Sequence, residues 1–170
     1  MAEISTSPTP EVVHVFDSAA SAFPVWADFL LVYVDGDFAN SVWAAEHFPD
    51  AHKIPITVKG QAGVRVCDCE TGDLTPAGAA EWAETELREG RHPWIYVNDS
   101  TRPKVEAALI ARGIKPTQLQ WWESNPDGVP TIRAGYSAKQ YSWPQDHPLV
   151  AGQQFDLSVA YISAVMEADK

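Results

Sequence analysis

The sequence contains few cysteines and few basic residues, and this limits its partners. Of its 170 residues, 2 are cysteine and 12 are Lys or Arg against 23 Asp or Glu, which gives a formal net charge of −11. So few basic residues cannot form the positively charged surface that attracts nucleic acids or anionic membranes. We therefore expect neither nucleic acid nor a membrane among the partners of this protein.

Long apolar runs are also absent. The longest candidate, residues 29–34, is far shorter than the roughly 20 residues that a membrane-spanning helix needs. The N-terminus has no basic segment followed by an apolar segment, which an export signal would require. The sequence predicts a soluble protein without a signal peptide.

The residues that usually hold metals or nucleotides are not grouped in recognisable motifs. Cys67 and Cys69 are one residue apart on a predicted strand, where a disulfide would distort the backbone, so we expect reduced thiols. The 5 histidines show no paired spacing typical of a metal site. No glycine-rich phosphate-binding motif follows a strand. We expect no metal and no cofactor, and a nucleotide-binding domain is disfavoured.

Strand-like and helix-like segments alternate along the chain. Strands are expected at 29–34, 53–58, 64–70, 93–97 and 119–124, helices at 39–48, 77–89 and 100–112, two short β-like stretches within 131–143, and a strand passing into a helix at 155–166. Such alternation favours parallel strands in an α/β fold. Because a full eight-stranded (β/α) barrel takes about 250 residues, we predict a partial or degenerate TIM-like barrel that lacks some helices.

The first part of the chain has a different composition. Residues 1–27 mix Ser, Thr and three prolines with short apolar patches. This pattern predicts an extended N-terminal arm with at most a short strand or turn around residues 12–16. The barrel is expected to occupy residues 28–170 as a single domain.

A pair of carboxylates ends one predicted strand. Alternation along residues 64–70 places Asp68 and Glu70 on the same face, with β-carbons about 6.6 Å apart. This is close to the range in which glycosidase carboxylates operate, and mutual repulsion would raise the pKa of one of them. Asp35, Asp37 and Asp99 also follow strands and should lie at the same rim. The alternative is a set of acids that merely face solvent.

Aromatic residues are numerous, with 7 Trp, 5 Tyr and 6 Phe. Their flat faces can stack on sugar rings, although many must also pack between strands and helices. We assign Trp82 and Trp94 to the core. Candidates for contact with a sugar are Trp121, Trp122, Tyr136 and Tyr141.

Taken in order, several short motifs resemble those of the family 25 glycoside hydrolases, which are muramidases, and especially short relatives from actinobacteria and their phages. The motifs are Asp68-Cys-Glu70 at a strand end, Thr75-Pro76 before a Trp-bearing helix, Trp94-Ile-Tyr96, Trp121-Trp122, Gln140-Tyr141-Ser142 and Phe155-Asp156-Leu157-Ser158. They span roughly residues 30 to 160. The opening Asp-Val-Ser of the family is not identified, and Glu123 stands where an alanine is common.

The resemblance implies hydrolysis of the β-1,4 bond after N-acetylmuramic acid in peptidoglycan. It implies that Glu70 is the general acid/base and that Asp68 is its partner. Asp35 or Asp37 would be the acid after the first strand, and Asp156 the late acid. The residues that it implies for the sugar site are Tyr96, Gln140 and Tyr141.

A second hypothesis is a catalytically inactive relative that serves as a phage virion component or as a glycan-binding module. The arm at residues 1–27 would then contact other virion proteins. In either case the partner is peptidoglycan or another glycan. A phage-encoded protein of this kind would be virion-associated or released from the host cytoplasm.

Overall fold

The chain folds into a closed barrel of eight strands in the computed structural model, which describes residues 10–166. The strands are Val12–Asp17 (β1), Phe29–Tyr33 (β2), His52–Thr57 (β3), Val66–Asp68 (β4), Trp94–Val97 (β5), Gln120–Ser124 (β6), Ala138–Ser142 (β7) and Asp156–Tyr161 (β8). The helices are Ser41–His47 (α1), Pro76–Arg88 (α2), Arg102–Ala111 (α3) and Ile162–Met166 (α4), with a 3-10 helix at Pro116–Gln118. The expectation of a barrel-like α/β fold is confirmed.

The last strand runs against the others. Neighbouring strands from β1 to β7 are parallel, whereas β8 pairs antiparallel with both β7 and β1. The connection from β7 to β8, residues 143–155, contains no helix and turns the chain back at the end where β7 finishes. We call this end of the barrel the upper end. The first residue of β8 therefore lies at the same end as the last residues of the parallel strands.

Helices cover only part of the barrel. Within residues 10–166, helices follow β2, β4, β5 and β8, so the regular alternation of strand and helix in a TIM barrel is incomplete. None of the helices in these residues has the length and apolar character needed to cross a membrane.

The core is divided between the inside and the outside of the barrel, because side chains alternate along each strand. One apolar cluster, which includes Val15, Trp94 and Trp122, fills the interior. A second lies between β4–β6 and helices α2 and α3, and a third covers the outer side of β1, β2, β7 and β8. Helix α4 closes the lower end, where Val165 joins the interior cluster and Arg65 donates to its main-chain carbonyl.

Helix α2 matches the sequence prediction closely. Thr75 is its N-cap, and the Thr75 side chain accepts a hydrogen bond from the amide of Gly78 at 3.1 Å. Its buried face packs on Cys67 and Cys69, which are both free thiols. This side of β4 therefore belongs to the core, and the opposite side of the strand faces the barrel interior.

The N-terminal segment differs from the prediction. The strand Val12–Asp17 pairs with β2 and β8 and is needed to close the barrel. Residues 10–27 therefore do not form an arm outside the barrel, and the barrel begins before residue 28. The remainder of the expected arm, residues 1–9, lies outside the described residues.

Residues 131–143 contain one strand instead of two β-like stretches. The segment 125–136 is irregular and covers the outer face of β6 and β7 where no helix is present. There Glu123 is fully buried and forms an ion pair with Arg133, and Lys139 pairs with Asp127 at 2.7 Å. Buried charges thus take the place of an apolar contact at this part of the barrel.

We expect Arg133→Ala to destabilise the fold by about 3 kcal/mol, because it leaves the buried Glu123 carboxylate without its cation. Chemical denaturation at neutral pH measures this loss. The matched control is Arg88→Ala, which removes an exposed arginine that lies 4.0 Å from Glu89 and should change stability little. Equal effects of the two substitutions would contradict the structural role of the Glu123–Arg133 pair.

Candidate active site

Carboxyl groups from three strands meet at the upper end of the barrel. Asp17 is the last residue of β1, Asp68 is the last residue of β4, and Asp156 is the first residue of β8. Glu70 follows β4 by two residues, and its charge acts on all three of these aspartates. We call these four residues the acidic cluster.

Asp17 and Asp156 lie directly opposite each other in the β1–β8 pairing. In an antiparallel pair, opposed β-carbons are about 4.5–5.5 Å apart, so like charges at these positions repel. Burial raises the pKa of Asp17 well above its ordinary value, and the charges of Asp156 and Glu70 raise it further. Burial raises the pKa of Asp156 to about 7, against the opposing effect of a hydrogen bond from Gln140. The pair therefore carries a proton at neutral pH.

Asp68 is enclosed more completely than Asp156. Its residue surface is 4% exposed, and its Oδ1 has no hydrogen-bond partner among the described residues. Burial raises the pKa of Asp68 well above its ordinary value, and the charges of Glu70, Asp73 and Asp17 add to this effect. A backbone hydrogen bond from Glu70 acts in the opposite direction. Burial thus favours the protonated form of Asp68.

Glu70 is half-buried and is held in place from the next strand. The Asn98 side chain donates a hydrogen bond from Nδ2 to Glu70 Oε1 at 3.1 Å, and its Oδ1 accepts hydrogen bonds from the amides of Ser100 and Thr101. The turn after β5 thus fixes Asn98, which fixes Glu70.

A second set of polar side chains crosses the barrel interior beside the acidic cluster. Tyr96 and Ser124 donate hydrogen bonds to Gln140 Oε1 at 2.5 Å and 3.1 Å, and Gln140 Nε2 donates to Asp156 Oδ2 at 2.7 Å. Burial raises the pKa of Tyr96 well above its ordinary value, with further contributions from Glu70 and other neighbours. Its hydroxyl therefore stays protonated and acts as a donor.

Two clefts open next to the acidic cluster. One, of about 580 Å³, reaches Asp156 and lies against Trp143 and Gln153. The other, of about 360 Å³, is bordered by Tyr33, Asp37 and Asp73. Asp156 is the member of the acidic cluster that lines the larger of these two clefts.

Asp35, Asp37 and Asp99 do not join the acidic cluster. Asp35 accepts hydrogen bonds from Thr57 Oγ1 at 2.5 Å and from the Val58 amide at 2.8 Å, so it closes the loop after β2. Asp37 is exposed at the border of the smaller cleft. Asp99 pairs with Arg133 at 2.6 Å on the outside. The acid at the end of the first barrel strand is Asp17, so the assignment to Asp35 or Asp37 is corrected.

Four of the aromatic candidates have roles in packing. Trp122 is fully buried inside the barrel, where its Nε1 donates to Ser158 at 3.1 Å. Trp121 and Tyr136 pack on the Arg102 guanidinium at 4.8 Å and 4.1 Å, outside the barrel and beside α3. Tyr141 is buried in the outer cluster of β7 and β8. None of these four side chains therefore offers a stacking surface at the acidic cluster. Three of them lie outside the barrel, and Trp122 is fully enclosed in its interior.

Three residues at the site, Asp17, Tyr33 and Asn98, are not predicted from the sequence. Asp17 was hidden because β1 was assigned to the arm, although its β-forming residues ending in an acid were a signal. Tyr33 and Asn98 stand at strand ends, as the expected acids do, but neither residue type alone indicates a site. Of the expected residues, Asp68, Glu70, Asp156, Gln140 and Tyr96 are brought together.

No group of three or more His, Cys, Asp or Glu side chains within residues 10–166 is arranged to hold a metal ion. Comparisons of the chain with protein-family models, curated proteins and solved structures found no match.

We expect Asp156→Asn to stabilise the protein at alkaline pH. Asp156 holds its proton up to about pH 7 in the folded protein, whereas an unfolded aspartate releases it near its ordinary pKa of about 3.9. The folded state then binds more protons than the unfolded state, so the free energy of unfolding falls as pH rises from about 4 to about 7.

The variant should therefore gain about 2 kcal/mol relative to wild type between pH 4 and pH 8, with the full shift discounted for partial solvent exposure. Denaturation curves across this range give the difference. Asp50→Asn, which removes an exposed carboxylate remote from the cluster, is the control. A constant difference between wild type and Asp156→Asn at every pH would show that the carboxyl of Asp156 is not perturbed.

Proposed function

We propose that the chain is a glycoside hydrolase, built on a degenerate (β/α) barrel, that cleaves a β-1,4 bond in peptidoglycan. The observation that carries the proposal is the acidic cluster, in which burial and mutual repulsion keep some carboxyl groups protonated beside others that ionise. Carboxyl groups with separated protonation states are what acid/base hydrolysis of a glycosidic bond requires. The ordered motifs that resemble family 25 muramidases support peptidoglycan as the substrate.

In this proposal Glu70 is the general acid. It is half-buried, and the Asn98 side chain orients it. Glu70 donates its proton to the glycosidic oxygen as the bond from that oxygen to the anomeric carbon breaks. Water then adds to the anomeric carbon and gives up a proton to a carboxylate, so that a hemiacetal and an alcohol are formed.

Asp156 is the best candidate for the negative charge that this reaction needs. With a pKa of about 7 it is partly ionised at neutral pH, and it borders the larger cleft. Its anion stabilises the positive charge that develops on the sugar. Burial raises the pKa of Asp68 and of Asp17 well above the ordinary value, which favours their protonated forms beside this anion.

Release of new reducing ends from purified actinobacterial peptidoglycan tests the proposal. Wild type should release them, and Glu70→Gln should reduce the rate at least about 100-fold, since general acid catalysis contributes this much. Glu46→Gln is the matched control because Glu46 is an exposed glutamate on α1. Melting curves establish that all three proteins are folded. Equal rates for wild type and Glu70→Gln would refute the role of Glu70.

A second candidate is the non-catalytic one, a virion component or a glycan-binding module. The observation that favours it is the exposure of two adjacent apolar residues between β1 and β2, where Val25 is 92% exposed and Trp26 is 69% exposed. A folded wild type that binds peptidoglycan or sediments with virion proteins, and that releases no reducing ends, would replace the hydrolase proposal by this one. Loss of that binding in Trp26→Ser would identify the surface.

A further inference from the structure

The side-chain amide of Gln140 is held in one orientation. It is 2% exposed, and two hydroxyl groups, from Tyr96 on β5 and Ser124 on β6, donate to its oxygen. With the oxygen so engaged, the amide nitrogen faces Asp156 Oδ2 at 2.7 Å. Three neighbouring strands thus direct one N–H group at one carboxyl oxygen.

Asp156 competes with Asp17 for a proton. The two residues are direct partners across β1 and β8, and two buried carboxyl groups at this distance do not both ionise easily. A hydrogen bond from an amide N–H favours the charged form of the carboxyl that accepts it. Asp156 accepts such a bond from Gln140, and Asp17 is the more deeply buried member, at 7% exposure.

We propose that Gln140, oriented by Tyr96 and Ser124, is a positioning residue that assigns the shared proton to Asp17 and keeps Asp156 as the anionic member of the pair. The other titratable groups that face Asp156 are Asp17 from β1, Tyr33 from β2 and Glu70 from the end of β4. None of these groups is a cation, and the charge of Glu70 disfavours a negative charge on Asp156. The N–H of Gln140 acts against them.

The assignment has a catalytic consequence that rests on the proposed hydrolase function. An anion at Asp156 lies at the border of the larger cleft, where a sugar carrying developing positive charge would be placed. If Asp17 were ionised instead, the charge would lie deeper and farther from solvent. Gln140 therefore acts on the reaction through Asp156 and does not need to touch the substrate itself.

The test is a titration of protein labelled with carboxyl-¹³C aspartate, with signals assigned from Asp17→Asn and Asp156→Asn. In wild type we expect Asp156 to titrate at lower pH than Asp17. In Gln140→Leu, and more weakly in Ser124→Ala, the midpoint of Asp156 should rise by up to about one pH unit, as expected for loss of a hydrogen bond to a charged group. Ser124→Thr keeps the hydroxyl and should restore the wild-type midpoint.

Ser158→Ala is the matched control, because it removes a buried hydroxyl from the same barrel interior that bonds Trp122 and lies outside the Gln140 network. It should leave the midpoint of Asp156 unchanged. Ser124→Ala removes a single oxygen atom, so it serves if Gln140→Leu does not fold. The proposal is overturned if Asp17 titrates before Asp156, or if the Asp156 midpoint is the same in wild type and in the folded variants.

The pH dependence of hydrolysis separates the two proposals. If the hydrolase function holds, the pH at which activity appears should move upward together with the Asp156 midpoint in Ser124→Ala. Shifted titrations in a protein that hydrolyses nothing would uphold the proton assignment and refute the hydrolase. If the Asp156 midpoint shifts in Ser124→Ala while the pH profile of activity stays unchanged, the hydrolase function is upheld. Gln140 then has no part in its mechanism.

Discussion

Pairing of β8 with β1 is the constraint on which the structure depends. Six residues of each strand pair antiparallel, and this closes the barrel between its first and last strands. Closure removes exposed strand edges and defines an inside and an outside for every strand. It also reverses one strand, so that Asp156 enters the site from the start of its strand while Asp17 and Asp68 enter from the ends of theirs. Asp156 joins the acidic cluster because of this one reversed strand.

The lower end of the barrel is apolar, whereas the upper end is polar. At the lower end, α4 and the Arg65 hydrogen bonds seal the apolar interior. At the upper end, the interior continues into carboxyl, hydroxyl and amide groups, several of them buried. Burying carboxyl groups beside one another opposes folding, and the apolar clusters on both sides of the strands must offset this. A site kept at such an energetic disadvantage is characteristic of function, since stability and activity commonly conflict at catalytic centres.

Charged side chains are also buried on the outer face of β6 and β7, where they form ion pairs. Glu123 and Lys139 lie opposite each other in the β6–β7 register and are paired with residues of the covering segment 125–136. These ion pairs anchor an irregular segment where other strands are covered by helices. The two buried polar regions are thus on opposite sides of the sheet. Strand alternation separates these ion pairs, which lie outside the barrel, from the acidic cluster.

The sequence alone determined a large part of this description. Helix α2 follows from a capping threonine, a proline at the first turn and a periodic apolar face, and most strands follow from runs of β-forming residues. Alternation along residues 64–70 predicts Asp68 and Glu70 on one face at the end of a strand. These features are local, so a single sequence carries them. Asp156 is expected only from the resemblance to the family 25 muramidases.

Only the tertiary structure decided the rest. Whether Val12–Asp17 is an arm or a barrel strand depends on its partner β8, which lies more than 130 residues away in sequence. Trp121 and Trp122 are adjacent in sequence, yet one packs outside on Arg102 and the other fills the interior. The protonation of Asp17, Asp68 and Asp156 follows from burial and from charges that meet only after closure. Long-range pairing sets each of these, and no local pattern encodes it.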